Sequence, residues 1–328
     1  MKIAVSCGDV NGIGLECFFK ALDMFFAKSD FADNCQIALA VAPSTLKEYA
    51  EKLHIPISIN ENLINYKGYQ IELLVCDSEV KPEFGKVTQQ SGKLAQESVL
   101  KVIDYIRRGE ADAIMTLPIS KEAVYLAGWG FAGHTELLGS CYNDPNPLMI
   151  LFAGKLRVAL VTIHSALREI PDLITQERII ETCTKFYNSL KFDFAIPNPK
   201  IAVLSLNPHA GENGTMGKEE IEIISPAIKS LNDNGISAEG PFPSDGLFAH
   251  KEFEKYDGIV SMYHDQGLTI LKYIAQGGGV NFTAGLPIIR TSPDHGTAFS
   301  LAGQNIANAQ STLDALVWAF EIYKNRNL

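Results

Sequence analysis

Three histidines close three separate apolar, β-branched runs: Arg157-Val-Ala-Leu-Val-Thr-Ile-His164, Ile201-Ala-Val-Leu-Ser-Leu-Asn-Pro-His209 and Gly258-Ile-Val-Ser-Met-Tyr-His264. In an open α/β sheet the carboxyl ends of strands converge on a shared crevice, so residues distant in sequence can meet there. One histidine at a strand end is ordinarily a surface or hydrogen-bonded residue; three in the same placement, out of seven in the chain, form a pattern. Three neutral imidazoles with an open coordination position suit a catalytic divalent cation better than a closed structural site. Zinc, cobalt and nickel all accept such a set, and availability decides among them. Asp245 and Asp265 stand near these runs as candidate general bases, or as carboxylates that orient a histidine ligand.

The elements that must position these residues are legible from periodicity. Short β-branched runs alternate with stretches of helical period, the signature of βαβ units and a largely parallel sheet, so the fold class is α/β. Leu15, Phe18, Phe19, Leu22, Phe25 and Phe26 form one apolar stripe, and Ile179, Ile180, Cys183, Phe186, Tyr187 and Leu190 another. Val99 to Ile106 reads as helix, closed by Gly109 before a strand from Asp112 to Pro118. The runs 148–153 and 156–162, split by Gly154-Lys155, predict a hairpin, which makes the sheet mixed. Gly277-Gly278-Gly279 suits a hinge or a mobile loop beside a ligand.

A chain of 328 residues, 46% hydrophobic and 20% charged, has the composition of a globular protein of about two domains. A net charge of -10 excludes a broad nucleic-acid surface and gives no attraction to anionic membranes, so an anionic substrate needs a local positive cluster. The six cysteines include no C-x-x-C pair and lie mostly in apolar runs, as core residues of a reducing compartment do. The N-terminus enters a strand directly at Lys2, and no apolar stretch reaches membrane-spanning length. The expected location is cytoplasmic.

Two glycine-rich segments invite a phosphate-loop reading and fail it. Gly8-Asp-Val-Asn-Gly-Ile-Gly-Leu-Glu16 has neither G-x-G-x-x-G nor Walker spacing, and Gly211 to Glu219 lacks a Ser or Thr after Lys218. The segment from Asn281 to Ala298 is denser in polar, glycine and basic residues than a helix tolerates, as ligand-binding loops are. Its Arg290, with Lys272 upstream, supplies the positive pocket that a phosphorylated substrate requires.

Gly133-His-Thr-Glu-Leu-Leu138, Asn207-Pro-His-Ala-Gly-Glu212, Gly240-Pro-Phe-Pro-Ser-Asp245, Met262-Tyr-His-Asp-Gln-Gly-Leu268 and Val280 to Ser292 resemble, in order, the signature segments of the 4-hydroxythreonine-4-phosphate dehydrogenase family of pyridoxal phosphate biosynthesis. Gly8 to Glu16 and His295 to Asn308 resemble the two ends of the isocitrate and isopropylmalate dehydrogenase fold, which binds NAD without a Rossmann fingerprint. The resemblance implies two α/β/α domains with mixed, largely parallel sheets and an active site in the interdomain cleft. An NAD-side domain would comprise 1–130 plus 277–328, and a metal-binding and dimerisation domain 131–276, boundaries approximate. It makes His164, His209 and His264 ligands of one divalent metal (Zn, Mg or Co), with His264 reaching into the site of a partner subunit in an obligatory homodimer. His134 and Thr135 would contact the substrate, and Lys272, Asn281 and Arg290 would hold its polar and phosphate groups. His295, Gly296, Thr297, Ala298 and Asn308 would receive NAD or NADP. The chain departs from the family at Val10, Asn11 and Leu15, and Gly246 stands after Asp245 where Thr is common, which implies altered loop rigidity rather than lost chemistry.

The implied reaction is oxidation of the C3 alcohol of 4-phosphooxy-L-threonine to a 3-keto acid that loses carbon dioxide. Paralogues acting on 4-phospho-D-threonate or 4-phospho-D-erythronate would share the metal, phosphate and NAD residues. A metal-dependent phosphatase or other hydrolase is the reading of another class, since histidines and carboxylates also activate water. The general base stays open among Asp245, Asp265 and a metal-bound hydroxide.

Overall fold

The computed structural model describes residues 1–27, 29–131, 133–144 and 146–328, without the side chains of 29, 30 and 32. The chain divides into two compact units, Met1–Pro145 with Leu286–Lys324, and Asn146–Gly285 with Asn325–Leu328. The first comprises β1 (Lys2–Ser6), β2 (Gln36–Val41), β3 (Ile57–Asn60), β4 (Leu63–Tyr66), β5 (Tyr69–Val75), β6 (Ala113–Thr116) and β13 (Ile289–Pro293). Their order is β13-β6-β1-β2-β5-β4-β3, parallel from β13 to β5 and antiparallel through β4 and β3. Ile3, Ala4 and Val5 of β1 are fully buried, as an interior parallel strand demands.

The helix Gly14–Phe26 buries the predicted stripe from Leu15 to Phe26. The helix expected over Val99–Ile106 runs from Gln89 to Arg107, because Leu94, Ala95 and Ser98 continue the buried face toward a Thr88 cap that accepts from Ser91 N. Such a cap contributes about 1 kcal/mol. Gly109 follows the Arg108 cap at φ +74°, the left-handed position that its type predicted.

The second unit comprises β7 (Leu148–Ala153), β8 (Leu156–Leu160), β9 (Ile201–Leu204), β10 (Ala238–Phe242), β11 (Gly258–Ser261) and β12 (Val280–Ala284), in the order β10-β9-β11-β8-β7-β12. Strands β10, β9, β11 and β8 are parallel, and β7 runs antiparallel to both β8 and β12. The hairpin at Gly154-Lys155 and the mixed sheet are therefore as the sequence predicts. Val158, Leu160, Ala202, Leu204, Ile259, Leu268 and Leu271 form part of one core under this sheet.

The unit boundaries fall later than the predicted 130/131 and 276/277, for reasons that composition does not carry. Arg107 donates to the Cys141 carbonyl, which ties the helix His134–Tyr142 to the first unit. β12 pairs along its length with β7 and so belongs to the second. The last residues join the second unit through buried Asp193, which accepts from Arg326 Nε at 2.6 Å while its carbonyl accepts from Asn325 Nδ2 at 2.7 Å. The glycine triplet after the helix His264–Ala275 ends that helix: Gln276 is left-handed, and Gly278 N donates to Ala275 O. All six cysteines are free and five are buried; burial pushes Cys7, Cys17, Cys35 and Cys183 up to about 12. Among the described residues no helix is long and apolar enough to cross a membrane.

Candidate functional site

The three histidine-bearing strands are neighbours. β11 lies between β8 and β9, parallel to both, so the loops leaving their carboxyl ends share one sheet edge. None of the three histidines is itself on a strand, contrary to the reading as strand ends. β8 stops at Leu160 and β9 at Leu204, which leaves His164 and His209 in the loops beyond; His264 is the first residue of the helix His264–Ala275. The rings of His164 and His264 approach to 6.1 Å between centroids. Both line a pocket of about 240 Å³ with Ser165, Tyr263 and Asp265, to which His209 does not contribute. Among the described residues no three His, Cys, Asp or Glu side chains are gathered in the chain as a ligand group.

The donor chemistry nevertheless fits a divalent cation. Asp265 Oδ1 lies 2.7 Å from His264 Nδ1. A carboxylate there holds the proton on Nδ1 and leaves the Nε2 lone pair for a metal, the usual support for a histidine ligand. Asp265 is thereby committed to His264. Asp245, exposed in the helix Ser244–Ala249, accepts from the Gly246 N–H through Oδ1, which leaves Oδ2 for a proton.

His209 sits on an unusual backbone. Residues 209–213 all have positive φ, between 42° and 75°, a left-handed turn of mostly non-glycine residues. Each such residue costs about 1–2 kcal/mol, so something must hold the turn in place. Glu220, 2% exposed, does so. Its Oε1 accepts from the N–H groups of Leu206 and Asn207, both at 2.8 Å, and its Oε2 from Asn207 Nδ2 at 3.0 Å. A Cβ on Gly211, at φ +75°, would stand 2.6 Å from Glu220 Oε2, so glycine is required there. Glu220 opens a single π-helical turn, Glu220–Ile224, a rare geometry frequent at functional sites.

In the first unit, Arg290 of β13 is 2% exposed. Its Nε and Nη2 both donate to Thr116 Oγ1 on β6, at 3.1 and 2.7 Å. Burial pushes the guanidinium down to about 10, opposed by the charge of Glu136. His134, which opens the helix His134–Tyr142, has a buried Nε2 with no hydrogen-bond partner. Burial first, then the charge of Arg290, holds its imidazole well below the usual histidine range, so the ring is neutral at pH 7. A buried cation beside an orphaned neutral imidazole fits an anionic, hydrogen-bonding ligand. Thr135 follows, partly exposed in the first helical turn.

This geometry sets a pH dependence. The unfolded chain protonates His134 near its ordinary value while the folded ring stays neutral. Folding stability is therefore full above about pH 6.5 and falls as the pH drops toward the folded pKa, by up to about 1.4 kcal/mol per pH unit. His295, also lowered by burial, has the same sign. Urea midpoints compared at about pH 7.5 and pH 5.5 should differ less in His134→Gln than in the wild type; equal differences would refute the assignment.

Lys272 lies exposed on the helix His264–Ala275. Asn281 on β12 directs its Nδ2 to Met149 Sδ at 3.4 Å, and its buried Oδ1 has no partner. The segment after β13 is held by the glycine-rich turn that looked like a phosphate loop. Ile13 N donates to Thr297 O, and Ala307 N donates to buried Glu16 Oε1 at 2.8 Å. Asn11 fixes a neighbouring stretch through Glu83 N, Lys86 O and Thr88 Oγ1. The turn is thus a brace. Both ring nitrogens of His295 are engaged, by Gly296 O and Thr312 Oγ1, so this imidazole shapes the loop rather than offering a nitrogen to a ligand. Gly296 is exposed, Ala298 adopts φ +42°, and Asn308 Oδ1 accepts from Gln310 N at the start of the helix Gln310–Arg326.

A family model described as pyridoxal phosphate biosynthetic protein PdxA matches residues 33–319. The chain belongs to the PdxA family. It is 45% identical over 327 residues to the 4-hydroxythreonine-4-phosphate dehydrogenase of Geobacter metallireducens, covering 98% of this chain and 95% of that one. The crystal structure of 4-hydroxythreonine-4-phosphate dehydrogenase from Klebsiella pneumoniae superposes with a TM-score of 0.80 at 34% identity, over 98% of both chains. Isocitrate dehydrogenase from Methylococcus capsulatus, 13% identical and matched over 99% of this chain and 86% of its own, shares the fold at a TM-score of 0.51. The expected likeness to the isocitrate dehydrogenase fold is thereby met.

For this PdxA chain, sequence reasoning missed Thr116, Glu220 and Glu16. Each acts through a hydrogen bond to a distant backbone or side-chain group, which leaves no periodic trace. Glu220 alone had a visible signal, a charged residue followed by an apolar run within reach of Asn207-Pro-His-Ala-Gly.

Proposed function

We propose that this chain is an NAD- and divalent-metal-dependent dehydrogenase. It oxidises 4-phosphooxy-L-threonine to 2-amino-3-oxo-4-phosphooxybutanoate, which decarboxylates to 3-amino-2-oxopropyl phosphate on the route to pyridoxine 5′-phosphate. The observation that carries this is full-length kinship with an enzyme named for that activity, 45% identical over 98% of this chain. When bound, the cation would supply Lewis acidity toward the substrate hydroxyl, and the nicotinamide cofactor would supply the hydride acceptor.

The chain's residues divide the remaining work. His164, His209 and His264 hold the cation, with Asp265 fixing the His264 tautomer. Asp245 takes the hydroxyl proton, since Asp265 is already engaged. Arg290, aimed by Thr116, neutralises the substrate's phosphate together with Lys272. Neutral His134 presents Nε2 to a substrate oxygen, and Thr135 and Asn281 satisfy the remaining polar groups. The segment from His295 through Gly296, Thr297 and Ala298 to Asn308 receives NAD or NADP. The active form is a homodimer whose sites share His264.

Mixing protein, NAD, cobalt ion and 4-phosphooxy-L-threonine should produce the absorbance of reduced nicotinamide, lost on chelation. Phosphate release without reduction would overturn this reading in favour of a hydrolase, and reduction confined to the D-configured four-carbon phospho-acids would reassign the substrate.

A further inference from the structure

The histidine loops leave three parallel strands whose backbone pairing stops early. The last aligned pairs are Val260↔Val203 between β11 and β9, and Ser261↔Leu160 between β11 and β8. On the β8 side the ladder is prolonged: Thr162 donates to Met262 O from both its N–H, at 3.2 Å, and its Oγ1, at 2.7 Å. On the β9 side no such backbone bond is made among the described residues, and a side chain occupies the gap. Gln266, in the first turn of the helix His264–Ala275, accepts from Met262 N at 2.8 Å and donates to Ser205 O at 2.6 Å. Ser205 is fixed in turn by donating Oγ to Asn207 O, at the foot of the left-handed turn that carries His209.

We infer that Gln266 is a positioning residue that couples the His209 loop to the His264 loop. Its carboxamide replaces a rung of the sheet where β9 and β11 part, and it needs both a donor and an acceptor to do so. A carboxylate of the same length is acceptor-only once ionised, whereas the amide offers both at any pH. The inference rests on the reading of the three histidines as metal ligands, and it holds whichever subunit's site His264 enters. Fixing one loop against another matters because a ligand set displaced by about 1 Å loses affinity without losing the fold.

Two substitutions test it. Gln266→Glu keeps the shape and the acceptor toward Met262 N, but sets an oxygen against Ser205 O. An acid in the first turn suits the helix N-terminus, so the helix is retained. Gln266→Met, of similar length, removes both bonds. Titration of the metal-free full chain with cobalt ion should show dissociation constants raised about ten- to a hundredfold in both variants. The visible cobalt spectrum should shift, while NAD affinity and the circular dichroism of the fold stay as in the wild type. Should one variant fail to fold, the other decides. Cobalt affinity within about twofold of the wild type overturns the inference. A wild-type chain that binds no cobalt overturns it together with the reading beneath it, whereas wild-type binding with unaltered variants overturns the inference alone.

Discussion

A mixture of His209→Ala and His264→Ala chains regains activity that neither variant has alone. Each single substitution removes one of the three proposed metal ligands. Lewis-acid stabilisation of the developing alkoxide is worth several kcal/mol, so turnover falls by about 10³-fold or more. The structure brings His164 and His264 together but leaves His209 outside their pocket, and among the described residues no three such side chains are gathered as a ligand group. If His209 or His264 crosses a two-fold axis, a heterodimer of the two variants contains one complete site and one lacking both ligands. Random pairing then restores roughly a quarter of wild-type turnover.

A second cross identifies the travelling residue. When His264 is supplied by the partner, His164→Ala with His264→Ala also complements; when His164 and His264 share a subunit and His209 travels, it does not. We expect complementation in both. His264 leads its helix with 40% of its side chain exposed, turned by Asp265 at Nδ1, and its free Nε2 is available to a second copy. Absence of recovery in both crosses, with heterodimers shown to form, would place all three ligands in one chain.

What the sequence carried and what it hid divide along a physical line. Burial is periodic, so the stripe from Leu15 to Phe26, the hairpin at Gly154-Lys155 and the left-handed Gly109 could be placed from residue types. The adjacency of β8, β9 and β11 was not readable, because strand order depends on crossovers that leave no local signal. The repeated histidine placement implied only that the three strand ends converge. The contacts that aim the site lie outside any window: Thr116 and Arg290 are separated by 174 positions, and Glu16 and Ala307 by 291. Glycine-rich Gly8–Glu16, rejected as a phosphate loop on its spacing, is unsuited to one in the structure as well. Its backbone geometry is that of a tight turn, but Asp9 Oδ1 already accepts the Asn11 N–H, and Asp9 N is bound to Pro118 O. The donors that a phosphate would need are thus partly engaged.

Arg290→Met should lower kcat/KM by about 10²–10³-fold, because removing one partner of a buried, hydrogen-bonded charge pair costs about 2–5 kcal/mol. The same change should leave folding stability unaltered or raise it. Burial holds this guanidinium down to about 10 from an ordinary 12.5, so the folded chain carries a desolvation cost of roughly 3 kcal/mol that an apolar side chain of similar length escapes. Opposite signs for activity and stability separate a substrate-binding arginine from a structural one, whose loss would lower both. Arg290→Lys should not rescue activity. The Thr116 hydroxyl is approached by two nitrogens of a planar fork, from Nε and Nη2, and a lysine ammonium cannot keep that pair while presenting a second edge to phosphate. Thr116→Val then becomes the intermediate case: the cation remains, its aim is lost, and KM should rise more than kcat falls. Equal loss of activity and of the urea midpoint in Arg290→Met would instead assign the residue to the packing of β13 against β6.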